Sequence, residues 1–213
     1  MSKEKLTDKE VANTKSEKIM NAVAMRASFY RANPQRFAKD YLNLTLKPFQ
    51  ELLLFLMVRC TGFCFIAARG LGKSFLTAVF CVITCILWPG SKVCIACKVR
   101  SQSISILDEK IMKEIYPNSP LLRSEIKKVD INNQKAEIIF KNGSYIKVVT
   151  ATDSSRGSRA TLLICDEYRF DFEEVPEYCS SSWIFGQATI CTSCRAKQRI
   201  LPKFRLVPKP LEL

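Results

Sequence analysis

The sequence has no histidine among its 213 residues. Catalytic sites that use an imidazole as base or metal ligand are therefore excluded, which removes Ser-His-Asp and Cys-His enzymes, His₃ zinc sites and Cys₂His₂ fingers. Long apolar runs are also scarce. The longest, Phe75 to Trp88, is shorter than the roughly 18 residues that a membrane-spanning helix needs. We interpret it as a core helix and expect no membrane association.

Secretion signals are missing as well. The segment from Met1 to Lys9 is charged and polar, and no apolar stretch follows it. We therefore expect a cytoplasmic protein whose ten cysteines are reduced and mostly buried. Cys60/Cys64 and Cys81/Cys85 have i, i+4 spacing, which we interpret as packing on helices.

Two CxxC pairs make a zinc site an alternative interpretation of these cysteines, because four thiolates can bind one zinc ion. Cys94 and Cys97 form one pair, and Cys191 and Cys194 form the other. The pairs are too far apart in sequence for an ordinary zinc module, and the first pair lies in a strand pattern that would point its two side chains to opposite faces. A structural role is the preferred interpretation.

The charge balance is strongly basic. Lys and Arg number 33 against 20 Asp and Glu, a net charge of +13, while 47% of the residues are hydrophobic. The composition is that of one globular domain. The excess positive charge favours polyanionic partners.

Composition shifts divide the chain into three segments. Residues 1–32 alternate Lys and Glu with few apolar positions, which predicts a solvated helical arm. Residues 33–180 carry the apolar patterns of a folded domain. Residues 181–213 form a basic, proline-containing tail: Trp183 to Pro210 holds six basic residues and no acid. This tail is either a DNA-facing extension or an out-of-frame remnant, and we prefer the second interpretation.

Hydrophobic periodicity predicts alternating strands and helices. Buried strands are expected at Phe63–Ala68, Lys92–Cys97 and Thr161–Asp166, a hairpin at Lys135–Phe140 and Tyr145–Thr150 around Asn142-Gly143, and a last strand at Gln187–Thr192. Helices are expected on both sides of Pro48 within 33–59, at Lys73–Leu87, at Ser101–Ile115 and at Glu173–Cys179. Successive strand-helix pairs predict an α/β fold with a mostly parallel central sheet flanked by helices.

A glycine-rich segment lies between the first predicted strand and its helix. It runs from Ala67 to Ser74 and matches the P-loop pattern G-x-x-x-x-G-K-[ST], except that Ala67 replaces the first glycine. Gly70 and Gly72 would let the backbone N–H groups converge on phosphate oxygens. We expect Lys73 to reach the β- and γ-phosphates and the Ser74 hydroxyl to bind Mg²⁺.

Two carboxylates end the strand at Thr161–Asp166. Asp166 and Glu167 come at its carboxyl end, where ligands bind in open α/β sheets. Asp166 would hold Mg²⁺, and Glu167 would act as general base on the attacking water. Together with the P-loop, this pattern predicts an Mg²⁺-dependent ATPase with ATP as substrate.

Three further features accompany these motifs: Arg69 lies inside the P-loop, Gln50 precedes it in Leu46–Gln50, and Arg156 comes just before the strand at Thr161–Asp166. With them, the sequence resembles the large terminase subunit of tailed bacteriophages over roughly Asn33 to Asp171. That family has an ASCE-type P-loop NTPase domain and a separate nuclease domain. The resemblance implies that Gln50 recognises adenine, that Arg69 senses the γ-phosphate, and that Arg156 lies near the phosphates or a neighbouring subunit. The expected nucleotide-binding residues are Gln50, Ala67, Ala68, Arg69, Gly70, Leu71, Gly72, Lys73, Ser74, Phe75 and Arg156.

The resemblance also implies a function and partners. The function is a motor that drives double-stranded DNA into a procapsid, working as a homo-oligomeric ring with a portal protein and a small terminase subunit. The strand at Gln187–Thr192 would couple hydrolysis to motion through Thr192 or Ser193. Beyond Glu177 the only carboxylate is Glu212, so we expect no two-metal nuclease in this chain. A truncated, non-catalytic remnant and a helicase-like ATPase remain as alternatives.

Overall fold

Strands and helices alternate in the central part of the chain, between residues 62 and 115, as the sequence predicts. The computed structural model describes residues 8–60, 62–65, 70–97, 100–132, 135–150, 160–165 and 189–191. Within these ranges the α-helices are α1 Asp8–Ala32, α2 Pro34–Asp40, α3 Pro48–Arg59, α4 Lys73–Leu87, α5 Arg100–Ser105, α6 Tyr116–Asn118 and α7 Pro120–Glu125, and a π-helix spans Ile106–Ile115. The strands are β1 Gly62–Cys64, β2 Lys92–Cys97, β3 Ile126–Ile131, β4 Ala136–Phe140, β5 Tyr145–Thr150, β6 Leu162–Cys165 and β7 Thr189–Cys191.

The described strands form one mixed sheet in the order β1-β7-β6-β2-β5-β4-β3. The first five strands in this order, β1, β7, β6, β2 and β5, run parallel. Strands β4 and β3 continue the sheet with antiparallel pairing. The predicted α/β architecture with a mostly parallel sheet is confirmed. Because the parallel strands share one direction, the carboxyl ends of β1, β7, β6 and β2 lie at one edge of the sheet.

Helix α4 forms the centre of the core. Its side chains from Leu76 to Ile83 are buried, and it packs against the π-helix, α3 and β2. The helix ends at Leu87, as the sequence predicts, because Pro89 cannot continue it and Gly90 turns the chain with φ of +76°. The P-loop segment is therefore attached to the most deeply buried helix of the described residues.

The predicted hairpin is confirmed. Strands β4 and β5 pair on either side of Asn142-Gly143, and Gly143 has the φ of +83° that such a turn favours. The Phe140 N–H donates to the Ser144 carbonyl over 2.9 Å. This hairpin adds β4 and β5 to the sheet next to β2.

Strand β3 is not predicted by the sequence analysis. Among the described strands it pairs with β4 alone and forms one edge of the sheet, where Lys127, Lys128 and Val129 are exposed. Lysines are common on edge strands because they oppose pairing with other chains. They also break the apolar alternation that identifies a buried strand.

The helix predicted at Ser101–Ile115 contains a change of winding. It begins as α5 and continues as the π-helix, whose buried side chains Ile106, Leu107, Ile111 and Ile115 face the core. Spacings of four and five residues fit both helix types. The apolar pattern therefore identifies the helix and its buried face but not its i→i+5 hydrogen bonds.

The predicted helical arm is present as α1, and its end is attached to α4. Exposed apolar side chains include Ile19, Met20 and Val23. The Nε and Nη2 atoms of Arg31 donate to the Leu87 carbonyl over 2.9 and 2.7 Å. Among the described helices, none is both long and apolar enough to cross a bilayer.

Two findings refine the predicted organisation. The strand predicted at Gln187–Thr192 is confirmed as β7, which pairs with both β1 and β6; the central sheet thus draws on a segment beyond residue 180 that the sequence analysis placed in the tail. Cys60 and Cys64 do not share a helix, since Cys60 follows α3 and Cys64 lies in β1. The helix predicted at Glu173–Cys179 lies outside the described residues.

Candidate functional site

The candidate site lies where β1 leads into α4, at the carboxyl edge of the parallel strands. Of the P-loop segment, Gly70, Leu71 and Gly72 are described, and α4 begins at Lys73. Ala67, Ala68 and Arg69 lie outside the described residues. The predicted strand-loop-helix context of the motif is confirmed.

Both described glycines of the loop adopt a left-handed conformation. Gly70 has φ of +87° and Gly72 has φ of +75°, a region that residues with a side chain rarely occupy. At Gly72 a second constraint applies, because a Cβ atom there would stand 2.9 Å from Gln50 Nε2. The backbone conformation of Gly72 therefore favours glycine, and the Gln50 amide lies directly beside it.

The first turn of α4 has no side-chain cap in the described structure. Gly72 is the N-cap residue and has no side chain that could accept hydrogen bonds from the following N–H groups. Helix N-termini carry about half a positive charge, and their N–H groups bind anions. Lys73 and Ser74, both partly exposed in this turn, add an ammonium group and a hydroxyl.

Gln50 connects α3 to the loop. Its Oε1 accepts a hydrogen bond from the Lys47 N–H over 3.0 Å, and its Nε2 lies 3.5 Å from the Leu71 carbonyl oxygen. The residue is only 8% exposed. The family resemblance associates Gln50 with the nucleotide site, and in the structure Gln50 lies against the loop.

The predicted metal and general-base residues follow β6. This strand ends at Cys165, in register with Ala96 of β2 and Cys191 of β7. Asp166 and Glu167 are the next two residues in the sequence but lie outside the described part, as does Arg156. The roles given to these three residues therefore stay predictions.

The described residues fit a nucleoside triphosphate with its Mg²⁺. Two left-handed glycines and an uncapped helix N-terminus provide a cradle for phosphate oxygens. Ser74 offers an oxygen ligand of the type that Mg²⁺ prefers. Phe75, the last of the predicted nucleotide-binding residues in the loop region, is half-buried at the next position of α4 and packs against the core.

The buried cysteines act as core residues. Cys81 and Cys85 lie on α4 and are fully buried, and burial raises the pKa of both thiols. Cys94 is also buried, within β2. The described residues contain no cluster of Cys, Asp or Glu that could hold a metal ion.

Sequence reasoning missed the contact between Gln50 and Gly72. No periodicity links a residue in the first turn of α3 to a loop 22 positions later. The site also has exposed apolar neighbours, Phe49 and Leu71, with 39% and 44% of their surface exposed.

Comparisons with known proteins support the interpretation of the fold. No protein-family model matches the sequence, and no match was found among curated proteins. A mutant of the ATPase domain of the Thermus phage P74-26 large terminase is similar in structure, with a TM-score of 0.54 and 16% identity over 75% of this chain and 69% of that one. The same domain in another structure gives a TM-score of 0.52, with coverages of 74% and 68%.

The large terminase of bacteriophage HK97 is a further structural neighbour. It gives a TM-score of 0.54 and 16% identity over 70% of this chain. The match spans only 33% of the HK97 protein, so the similarity concerns one part of that larger enzyme. By these comparisons, the chain has the fold of the ATPase domain of phage large terminases.

Proposed function

We propose that this chain is the ATPase motor domain of a viral DNA-packaging terminase, an ASCE-type P-loop ATPase that couples Mg²⁺-dependent ATP hydrolysis to movement of double-stranded DNA. The observation that carries the proposal is the glycine-rich loop, in which Gly70 and Gly72 are left-handed and after which α4 begins with no side-chain cap from the described residues. The structural similarity to terminase ATPase domains supports it.

The geometry favours binding of the triphosphate at the start of α4. Backbone N–H groups of the first turn would donate to phosphate oxygens, and the Lys73 ammonium would offset charge on the β- and γ-phosphates. The Ser74 hydroxyl and the Asp166 carboxylate would hold Mg²⁺. When bound, this ion neutralises charge that develops on the phosphate oxygens.

Hydrolysis would proceed by in-line attack of a water molecule. Glu167 would accept a proton as the water oxygen bonds to the γ-phosphorus, and the bond to the β,γ-bridging oxygen would break to release ADP and phosphate. Arg69 would stabilise the transferring phosphoryl group. The direct succession of Asp166 and Glu167 after β6 supports the ASCE assignment.

The partners are part of the same proposal. A motor that acts on any DNA sequence contacts backbone phosphates, and the net charge of +13 suits such binding. A homo-oligomeric ring, a portal protein and a small terminase subunit would complete the packaging machine. The acid-free segment from Trp183 to Pro210, most of which is outside the described residues, supplies six of the positive charges.

Glu167→Gln tests the catalytic proposal. The substitution keeps the side-chain shape but removes the base, so we expect turnover to fall about 100-fold or more while ATP and Mg²⁺ still bind. The measurements are phosphate release by the full chain and equilibrium binding of a fluorescent ATP analogue.

Glu109→Gln is the matched control, because Glu109 is an exposed glutamate on the π-helix and should not affect turnover. A folded wild-type chain that binds ATP without hydrolysing it would support the non-catalytic alternative. A folded chain that binds no nucleotide would refute the proposal.

A further inference from the structure

Gln50 lies at the point where α3 meets the phosphate loop. Helix α3 ends at Arg59, shortly before β1 begins at Gly62. The chain therefore reverses between them, and the first turn of α3 reaches the carboxyl edge of the sheet beside the loop. Gln50 is in this first turn and is buried.

The Gln50 amide is engaged on both sides. Its oxygen accepts a hydrogen bond from the Lys47 N–H over 3.0 Å, a contact that satisfies one of the donors at the helix start. This bond fixes the amide plane and turns the NH₂ group toward the loop. There Nε2 lies 3.5 Å from the Leu71 carbonyl oxygen and against Gly72.

The Gln50 amide lies directly against the residue that precedes α4. A Cβ atom at Gly72 would stand 2.9 Å from Nε2, so the amide packs directly on the backbone of the residue that precedes α4. Gly72 also accepts the first hydrogen bond of that helix, from the Leu76 N–H over 2.9 Å. A group that holds Gly72 therefore holds the entrance to α4.

We infer that Gln50 is a positioning residue for the phosphate loop, and that it supports binding of the triphosphate group whatever base the nucleotide carries. This inference rests on the proposed nucleotide site. It differs from recognition of adenine, which would require the amide to face the base. The buried amide instead spans from the start of α3 to Leu71 and Gly72.

The test compares ligands that share only the triphosphate. Binding of ATP, GTP and inorganic tripolyphosphate, each with Mg²⁺, is measured for the full wild-type chain and for Gln50→Ala. We expect the substitution to weaken the binding of all three ligands by the same factor, about three- to tenfold, because one long hydrogen bond and the packing of the amide are lost. The ratio of ATP to tripolyphosphate affinity should stay within about twofold.

Two further variants make the result specific. Gln35→Ala is the matched control, the same chemical change on α2, and should leave all three affinities unchanged. Gln50→Glu keeps an acceptor for the Lys47 N–H, so α3 can still begin at Pro48, but places a carboxylate against the Leu71 carbonyl. We expect it to weaken tripolyphosphate binding at least as much as Gln50→Ala.

Hydrogen exchange without nucleotide gives an independent readout. The backbone amide of Leu76, which donates to the Gly72 carbonyl, should exchange faster in Gln50→Ala than in the wild type, while the thermal unfolding midpoint shows whether the variant is folded. The inference is overturned if Gln50→Ala weakens the binding of ATP more than the binding of tripolyphosphate. It is also overturned if neither the three affinities nor the exchange rate changes. A wild-type chain that binds none of the ligands would instead refute the proposed nucleotide site itself.

Discussion

The two ends of α4 are built in opposite ways. At its C-terminal end, protein side chains satisfy the carbonyl groups: Arg31 donates twice to Leu87, and Asn142 Nδ2 donates to Cys85 over 2.7 Å. At its N-terminal end the cap residue is Gly72, and the described structure provides no side-chain cap. One end is completed by the fold, and the other is the end at which the proposed function places the triphosphate.

Under the proposed function, this difference separates a structural end of the helix from a ligand-binding end. Helix ends leave four backbone groups without an internal partner, and folding normally requires that buried ones be satisfied. The C-terminal carbonyls meet this need with contacts from α1 and from the turn between β4 and β5. The N-terminal donors can meet it with phosphate, so substitutions at the two ends should have separable effects on binding and stability.

Lys73→Ala should give the largest effect and only on function. Removal of the ammonium group takes away a charge that stabilises the transferring phosphate, so we expect ATP turnover to fall about 100-fold or more. The thermal unfolding midpoint should change little, since Lys73 is partly exposed. The measurement is steady-state phosphate release alongside circular dichroism.

Lys92→Ala serves as the control for this change, because Lys92 is an exposed lysine at the start of β2, at the opposite edge of the sheet. It should leave turnover near the wild-type value. Turnover of Lys73→Ala within tenfold of the wild type would contradict the functional assignment of the N-terminal end.

The sequence predicts both boundaries of α4. Lys73 and Leu87 are the observed limits of α4, because the glycine-rich segment before it and Pro89 after it are strong local signals. Strands β2, β4 and β5 are equally predictable from alternating or continuous apolar runs. Local residue chemistry determines these elements, so one sequence suffices to place them.

Contacts between distant segments are not predictable in this way. Nothing in the sequence links Arg31 to Leu87 or Asn142 to Cys85, because such pairs depend on how elements pack, and only the family resemblance associates Gln50 with the loop. The position of β7 between β1 and β6 is of the same kind: apolar residues identify the strand, while the order of strands follows from the tertiary fold. The loop motif is visible in the sequence, whereas the tertiary contacts around the loop are not.

Arg31→Ala should give the largest loss of stability at the C-terminal end. It removes two charge-assisted hydrogen bonds to the Leu87 carbonyl and the packing of the guanidinium over Trp88, where Arg31 Cζ lies 5.7 Å from the ring centre. We expect the free energy of unfolding to fall by about 2 kcal/mol. Urea denaturation measures this quantity.

Arg26→Ala is the comparison for this substitution, since Arg26 is an exposed arginine on the same helix. It should change the free energy of unfolding by less than about 0.5 kcal/mol. Equal urea midpoints for Arg31→Ala and the wild type would show that α1 does not stabilise the end of α4.

Asn142→Ala should have the smallest effect of the series. Asn142 Nδ2 caps the Cys85 carbonyl, and its Oδ1 accepts from the Ser144 N–H over 3.0 Å, so the loss is about 1 kcal/mol. Asn142→Asp separates the two contacts, because it keeps the acceptor for Ser144 but cannot donate to Cys85. If only the helix cap matters, Asp and Ala will destabilise the protein equally in urea denaturation.

The same variants give the sharpest test of the comparison between the two ends. Asn142 lies at the end of α4 remote from the loop, so the KM for ATP should be the same in Asn142→Ala, Asn142→Asp and the wild type. A KM that rises in proportion to the loss of stability would mean that the C-terminal contacts also set the geometry of the phosphate loop. The two ends of α4 would then form one unit, and the separation of structure from function along this helix would be wrong.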